Sequence, residues 1–192
     1  MIQQKKLGIF FLVIFIVNNV DLVKSHCAFG ERLVRPAEGI NKELCEKCPA
    51  GTYNGKIDAT TCEKCNLGYY TAQSGQMYCY PCPAGQYTRD MGSTSCKYCD
   101  PGFYSESGWP TCKRCPAGTI APSKGAPKCN PCPAGTFELT TECIKCKAGT
   151  YSGAKSRFCN PCPAGTYSKE GASLCTKCPA GKTSKQGSAT CT

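Results

Sequence analysis

The sequence predicts a small disulfide-rich fold: an elongated tandem array of short β-hairpin-like units with little secondary structure. Three observations carry that expectation. Cys-x-x-Cys is written nine times, beginning at Cys45, Cys62, Cys79, Cys96, Cys112, Cys129, Cys143, Cys159 and Cys175, with a period of 14 to 17 residues. A short fixed period of this kind marks one small unit stacked many times. Beyond residue 25, Leu, Ile, Val and Phe supply only 14 of 167 residues, too few for burial alone to fold the chain. Cysteine supplies 20 of the same residues, so crosslinks stand in for the missing core.

Residues 1–25 read as a signal peptide. Lys5 and Lys6 make a basic start, Leu7 to Val17 an apolar run, and Ser25 a small residue at the cleavage point, with Val23 two positions before it. Eleven apolar residues are too short to cross a hydrocarbon layer of ~30 Å, whereas they suit a cleaved secretory leader. Maturation is then expected near His26, in an oxidising compartment where thiols become bridges. No second apolar stretch follows, so neither a membrane span nor a lipid anchor is expected. The sequence has no Asn-x-Ser/Thr sequon.

Residues 26–44, with Cys27 and Arg32-Leu33-Val34-Arg35-Pro36, read as an N-terminal cap segment. Residues 45–192 are the tandem repeats. In Cys82-Pro83-Ala84-Gly85 the proline suits the second position of a tight turn and the glycine the last position of a type I turn. A strand-like piece follows, with an aromatic two residues past the glycine: Tyr53, Tyr70, Tyr87, Tyr104, Phe137, Tyr151 and Tyr167. Ile120 and Thr183 hold the same place in the other two units. With almost nothing else apolar to bury, these rings are expected to cover the disulfides and to stack against the neighbouring bridge. A second turn returns the chain, with glycine four residues before the closing cysteine at Gly75, Gly92, Gly108, Gly125, Gly171 and Gly187. The unit 132–143 is shortened and lacks it, which predicts a local irregularity.

Two closures use all twenty cysteines. Nearest-neighbour pairing gives Cys27–Cys45, Cys48–Cys62, Cys65–Cys79, Cys82–Cys96, Cys99–Cys112, Cys115–Cys129, Cys132–Cys143, Cys146–Cys159, Cys162–Cys175 and Cys178–Cys191. A crossed scheme, first with third and second with fourth in each set of four, gives Cys27–Cys48, Cys45–Cys62 and so on. Spacing alone leaves both open; the nearest-neighbour scheme is preferred because each irregular spacer then stays within one loop.

The phrase Cys162-Pro-Ala-Gly-Thr-Tyr-Ser, closing as Gly171-Ala-Ser-Leu-Cys175-Thr-Lys-Cys178, resembles the ephrin-receptor-like cysteine-rich repeat and, more loosely, the tumour-necrosis-factor-receptor cysteine-rich modules. The resemblance spans residues 45–192. It implies an elongated, disulfide-laddered spacer or protein-binding surface outside the cell. Receptors of those families carry a membrane span and intracellular parts that this sequence lacks, so a signalling receptor is not implied, and no ligand-binding residue carries over.

Other chemistries find little support. Paired Cys-x-x-Cys approaches zinc-ribbon spacing, but a leader peptide and nine successive pairs argue for bridges. A thioredoxin-like site needs its motif at a helix start, and here Pro-Ala-Gly follows. His26 is the only histidine, and no hydrolase elbow, metalloprotease helix or phosphate loop occurs, so no catalytic, metal or cofactor site is expected. Residues 26–192 hold 20 basic against 12 acidic groups, without three consecutive cations, which reads as a dispersed positive surface. Nucleic acid is not an expected partner, because the tyrosines recur at a structural place. The function expected is a secreted, non-enzymatic structural or interaction component whose partner is an extracellular protein or matrix component. The alternative is a soluble secreted effector such as a venom toxin or defence protein.

Overall fold

The structure, a computed structural model, describes residues 26–35 and 43–192. The leader expected at 1–25 and the middle of the segment 26–44 lie outside these residues. All twenty cysteines are bridged, and each bridge joins nearest neighbours, from Cys27–Cys45 at one end to Cys178–Cys191 at the other. The crossed scheme is not the one adopted. Each bridge closes one unit, so the described residues form ten units, numbered here in chain order.

Units 1 to 9 each contain one antiparallel strand pair, and no helix occurs among the described residues. Seven pairs are only two residues long on each side, as in Thr52–Tyr53 with Glu63–Lys64. Unit 1 pairs Glu31–Val34 with Leu44–Lys47, and unit 7 pairs Thr136–Leu139 with Glu142–Lys145. Unit 10 closes with a reciprocal backbone pair between Thr183 and Thr192 at 3.0 and 2.9 Å. Hairpins this short do not hold in water on their own. The bridges span 11 to 14 residues in units 2 to 10, and closing loops of that size gives about 3 kcal/mol each in the chain-entropy model.

The opening turn differs from the sequence expectation by one residue. The bond runs from the Thr52 amide to the Pro49 carbonyl, and the same spacing recurs in all ten units. Glycine is therefore the third residue of the turn, not the fourth, with φ of +81° at Gly51. That is the place a type II turn reserves for glycine, since φ is positive there.

Residues 26–35 share the repeat geometry. The Glu31 amide bonds the Ala28 carbonyl at 3.1 Å, Gly30 has φ of +78°, and Cys27 is fully buried. The unit needs only Cys-x-x-Gly, which Cys27-Ala28-Phe29-Gly30 supplies without a proline. Residues 26–35, within the segment expected as a cap, thus carry an opening turn and strand of the repeat type, bridged at Cys27–Cys45.

The interior contains almost no hydrocarbon. The fully buried side chains are the opening cysteines, such as Cys48, Cys65 and Cys82, and the residue just past the aromatic, such as Thr71, Ser105 and Ser152. Strand alternation explains this, because neighbouring residues point to opposite faces. The aromatic remains half-buried on the outer side while the small residue after it turns inward. Each such hydroxyl is satisfied: Ser105 donates to the Gln86 carbonyl at 2.9 Å, Ser152 to Thr136 at 2.8 Å, Ser168 to Thr150 at 2.9 Å and Ser184 to Thr166 at 2.7 Å. In these four cases the acceptor belongs to the preceding unit, whereas Thr71 donates to the Gln73 carbonyl of its own unit at 3.2 Å and accepts from the Gly51 amide of the preceding one at 3.0 Å. The buried polar side chains therefore tie rungs together at no desolvation cost left uncompensated.

Candidate interaction surface

Three backbone bonds repeat at the junctions. At units 2 and 3, the Gly51 amide donates to the Thr71 carbonyl (3.0 Å), the Cys65 amide to the Gly51 carbonyl (2.9 Å), and the Gly75 amide to the Cys48 carbonyl (2.7 Å). Contact also reaches the second neighbour. A β-carbon placed on Gly30, Gly51, Gly68 or Gly85 would collide with the carbonyl of Gly75, Gly92, Gly108 or Gly125, two units further on. The opening turn of each unit thus carries the second turn of the next unit but one. This fixes the surface as one connected framework.

Unit 7 breaks the pattern, as its shortened sequence predicts. Its strands meet at the two-residue connection Thr140-Thr141, with φ of +58° at Thr140. Gly102 then faces only the Thr141 methyl, at 3.9 Å, and Cys115 is half-buried where most other opening cysteines are buried. A side chain repairs part of the loss. The Gly118 amide, which elsewhere would meet a backbone carbonyl, donates to the Glu138 carboxylate at 2.6 Å.

The seven aromatics singled out from sequence all stand at the strand position opposite the residue that follows the closing cysteine. Tyr53 faces Glu63, Tyr70 faces Tyr80, Tyr87 faces Lys97, Tyr104 faces Lys113, Phe137 faces Ile144, Tyr151 faces Asn160 and Tyr167 faces Thr176. All are half-buried. They do not stack on one another along the array; among the described residues the ring pairs are Tyr78–Tyr80 and Tyr104–Trp109. Tyr53 donates its hydroxyl to the Glu63 carboxylate at 2.8 Å, and this bond to an anion raises the phenol's pKa.

Sequence reasoning missed where exposed apolar groups collect. Among the described residues, eight of the fourteen large, exposed hydrophobic side chains fall from Leu67 to Phe103, seven of them on units 3 and 4. Tyr69, Tyr78, Tyr80 and Tyr98 are 40 to 55% exposed. The Tyr78 and Tyr80 rings meet edge to face with centroids 4.9 Å apart, and their hydroxyls lie 3.4 Å apart. That contact raises the Tyr80 pKa. Nearby, Lys113 lies over the Trp109 ring at 4.3 Å, and Trp109 leans on Tyr104 at 5.7 Å. Such exposed aromatic groups on a fixed framework are the composition of protein-binding surfaces. The signal was present in Tyr69-Tyr70 and Tyr78-Cys79-Tyr80, whose extra tyrosines fall outside the repeat's aromatic position.

No helix of the described residues is long and apolar enough to cross a membrane. Among the same residues, no three His, Cys, Asp or Glu side chains converge as a metal site.

These features define a disulfide-laddered tandem-repeat protein of extracellular type. The family model for tyrosine-protein kinase ephrin type A/B receptor-like repeats matches four times, over residues 38–75, 57–99, 102–142 and 149–192. The chain belongs to that family. Each match covers at least two Cys-x-x-Cys pairs, in keeping with a framework in which contacts extend over two units. No match was found among curated proteins.

Proposed function

We propose that the chain is a secreted, non-enzymatic protein that binds an extracellular protein or matrix component through its exposed aromatic surface. The observation that carries this reading is the concentration of exposed Tyr69, Tyr78, Tyr80 and Tyr98 on units 3 and 4. Rigid aromatic groups contribute large contact area at little cost in conformational entropy. The seven repeat aromatics act in support, as half-buried covers over the bridges. Membership of a family of extracellular-type repeat modules agrees with this use.

The test is expression of the whole chain in secretory cells, followed by location of the product and its amino terminus. The reading predicts a mature protein starting near His26 and retained on cells or matrix. A Tyr69→Ser/Tyr78→Ser/Tyr80→Ser variant should still oxidise fully and lose most of that retention. Intracellular residence, or retention unaffected by the triple change, would contradict it.

A further inference from the structure

The positive charge is unevenly divided between the two halves of the chain. Residues 26–106 carry 8 basic and 9 acidic groups, whereas residues 107–192 carry 12 basic and 3 acidic. Ion pairing follows the same division. Arg32–Glu46, Arg35–Glu43 and Lys97–Asp90 all lie in the first part. Among the described residues, none of the twelve cations after residue 107 is in an ion pair, and all twelve are exposed. They are spread at one to three per unit from Lys113 and Arg114 to Lys182 and Lys185. One acid in this part, Glu138, is occupied by the Gly118 amide.

We propose that units 5 to 10 bind a linear sulfated polysaccharide along their length. This deepens the reading above by naming a matrix chemistry for the half of the molecule that the aromatic surface does not occupy. The repeat converts isolated lysines into a positive lattice on a rod whose units are fixed by bridges and glycine contacts. A flexible polyanion with charges at short intervals can follow such a lattice and gains from counterion release. A membrane surface fits less well. Only Leu139, Phe158 and Leu174 are large, exposed and apolar after residue 107, so there is little to insert among the lipids. Single-stranded nucleic acid calls for aromatics among the cations, and here the exposed tyrosines lie in the other half.

Heparin is the probe, applied to the purified protein from His26 onward, so that the result does not depend on secretion. Affinity should fall at least about tenfold between about 50 and about 200 mM salt. Replacing Lys147, Arg157, Lys169 and Lys182 by Gln should weaken binding at least about tenfold, by loss of several charge contacts. The matched set Arg35, Lys56, Arg89 and Lys97 to Gln should change it little. Circular dichroism spectra matching the unchanged protein, together with complete absence of free thiols, confirm that each variant is folded. No heparin binding, equal effects from the two sets, or equal affinity for single-stranded DNA or phosphatidylserine vesicles would overturn the proposal. Cellular or matrix retention without heparin binding would overturn it while leaving the aromatic surface reading intact.

Discussion

The carbonyl of Gly125 occupies the space that a β-carbon on Gly85 would need. These two glycines belong to units 4 and 6, so the ladder is locked by contacts that skip a rung. Gly85 also has φ of +83°, and both features exclude a side chain. Gly102 has the same φ but stands against the shortened unit 7, where a β-carbon would meet only a methyl group at 3.9 Å. Gly102→Ala should therefore cost only the left-handed backbone penalty of about 1–2 kcal/mol. Gly85→Ala should cost clearly more, because backbone must move as well. Denaturant unfolding of the two oxidised variants measures the difference; equal losses would contradict the skipped-rung contact.

Glu138 substitutes for a backbone carbonyl by accepting from the Gly118 amide. Glu138→Gln keeps an acceptor oxygen and should be tolerated. Glu138→Ala leaves the amide unpaired and should cost about 1–3 kcal/mol. Hydrogen exchange at Gly118 reads this locally, and it should accelerate in the Ala variant alone.

Tyr87 is half-buried across the hairpin from Lys97, with the Arg89 guanidinium 5.6 Å from the ring centre. If the ring covers its unit, Tyr87→Ala should speed tryptic cleavage after Arg89 several-fold. Unchanged cleavage between residues 82 and 96 would show that the bridge and backbone protect the unit without it.

Asp58 anchors the start of the ladder. Its carboxylate accepts from the Cys27 amide at 2.6 Å and contacts the His26 ring at 2.6 Å. The His26 contact, then the Cys27 amide, hold its pKa below the ordinary carboxylate value. A depressed folded-state pKa stabilises the fold above the unfolded pKa of about 3.9, and the contribution is lost as pH falls through the folded value. The Cys27 amide should accordingly lose exchange protection only in acid, below pH about 4. Asp58→Ala should remove protection at neutral pH and abolish that dependence.

Lys155 takes the place that glycine holds in six other second turns, with φ of +60°, and its amide bonds the Cys132 carbonyl at 2.9 Å. Lys155→Gly relieves left-handed strain of about 1–2 kcal/mol, partly offset by the freer unfolded chain. A net gain of about 0.5–1 kcal/mol in denaturant unfolding is expected.

Much of this architecture is legible in the cysteines, because they carry the crosslinks that replace a core. The glycine before each aromatic announces a turn, and the missing glycine in 132–143 announces the irregularity seen at unit 7. What is not legible depends on neighbours. Ser105 and Ser152 look like surface residues, yet the alternation of a two-residue strand turns them inward onto a carbonyl of the previous unit. Gly85 looks like a turn residue alone, since nothing local reveals the backbone of Gly125 against it. Cys27-Ala28-Phe29-Gly30 hides an opening turn because Cys27 belongs to no Cys-x-x-Cys pair and Arg32 holds the place of the repeat aromatic. The aromatic surface was partly visible in Tyr78 and Tyr80, but only the folded units show that their rings stay exposed.

The most direct test of the ladder is tryptic digestion of the oxidised protein, followed by mass analysis without reduction. Cleavage after Lys97 and Lys113 leaves residues 98–113 with two cysteines, Cys99 and Cys112. The nearest-neighbour ladder predicts that this peptide is released alone, with one internal bridge. Recovery of residues 98–113 covalently joined to the peptide containing Cys115 would contradict it and with it the skipped-rung framework.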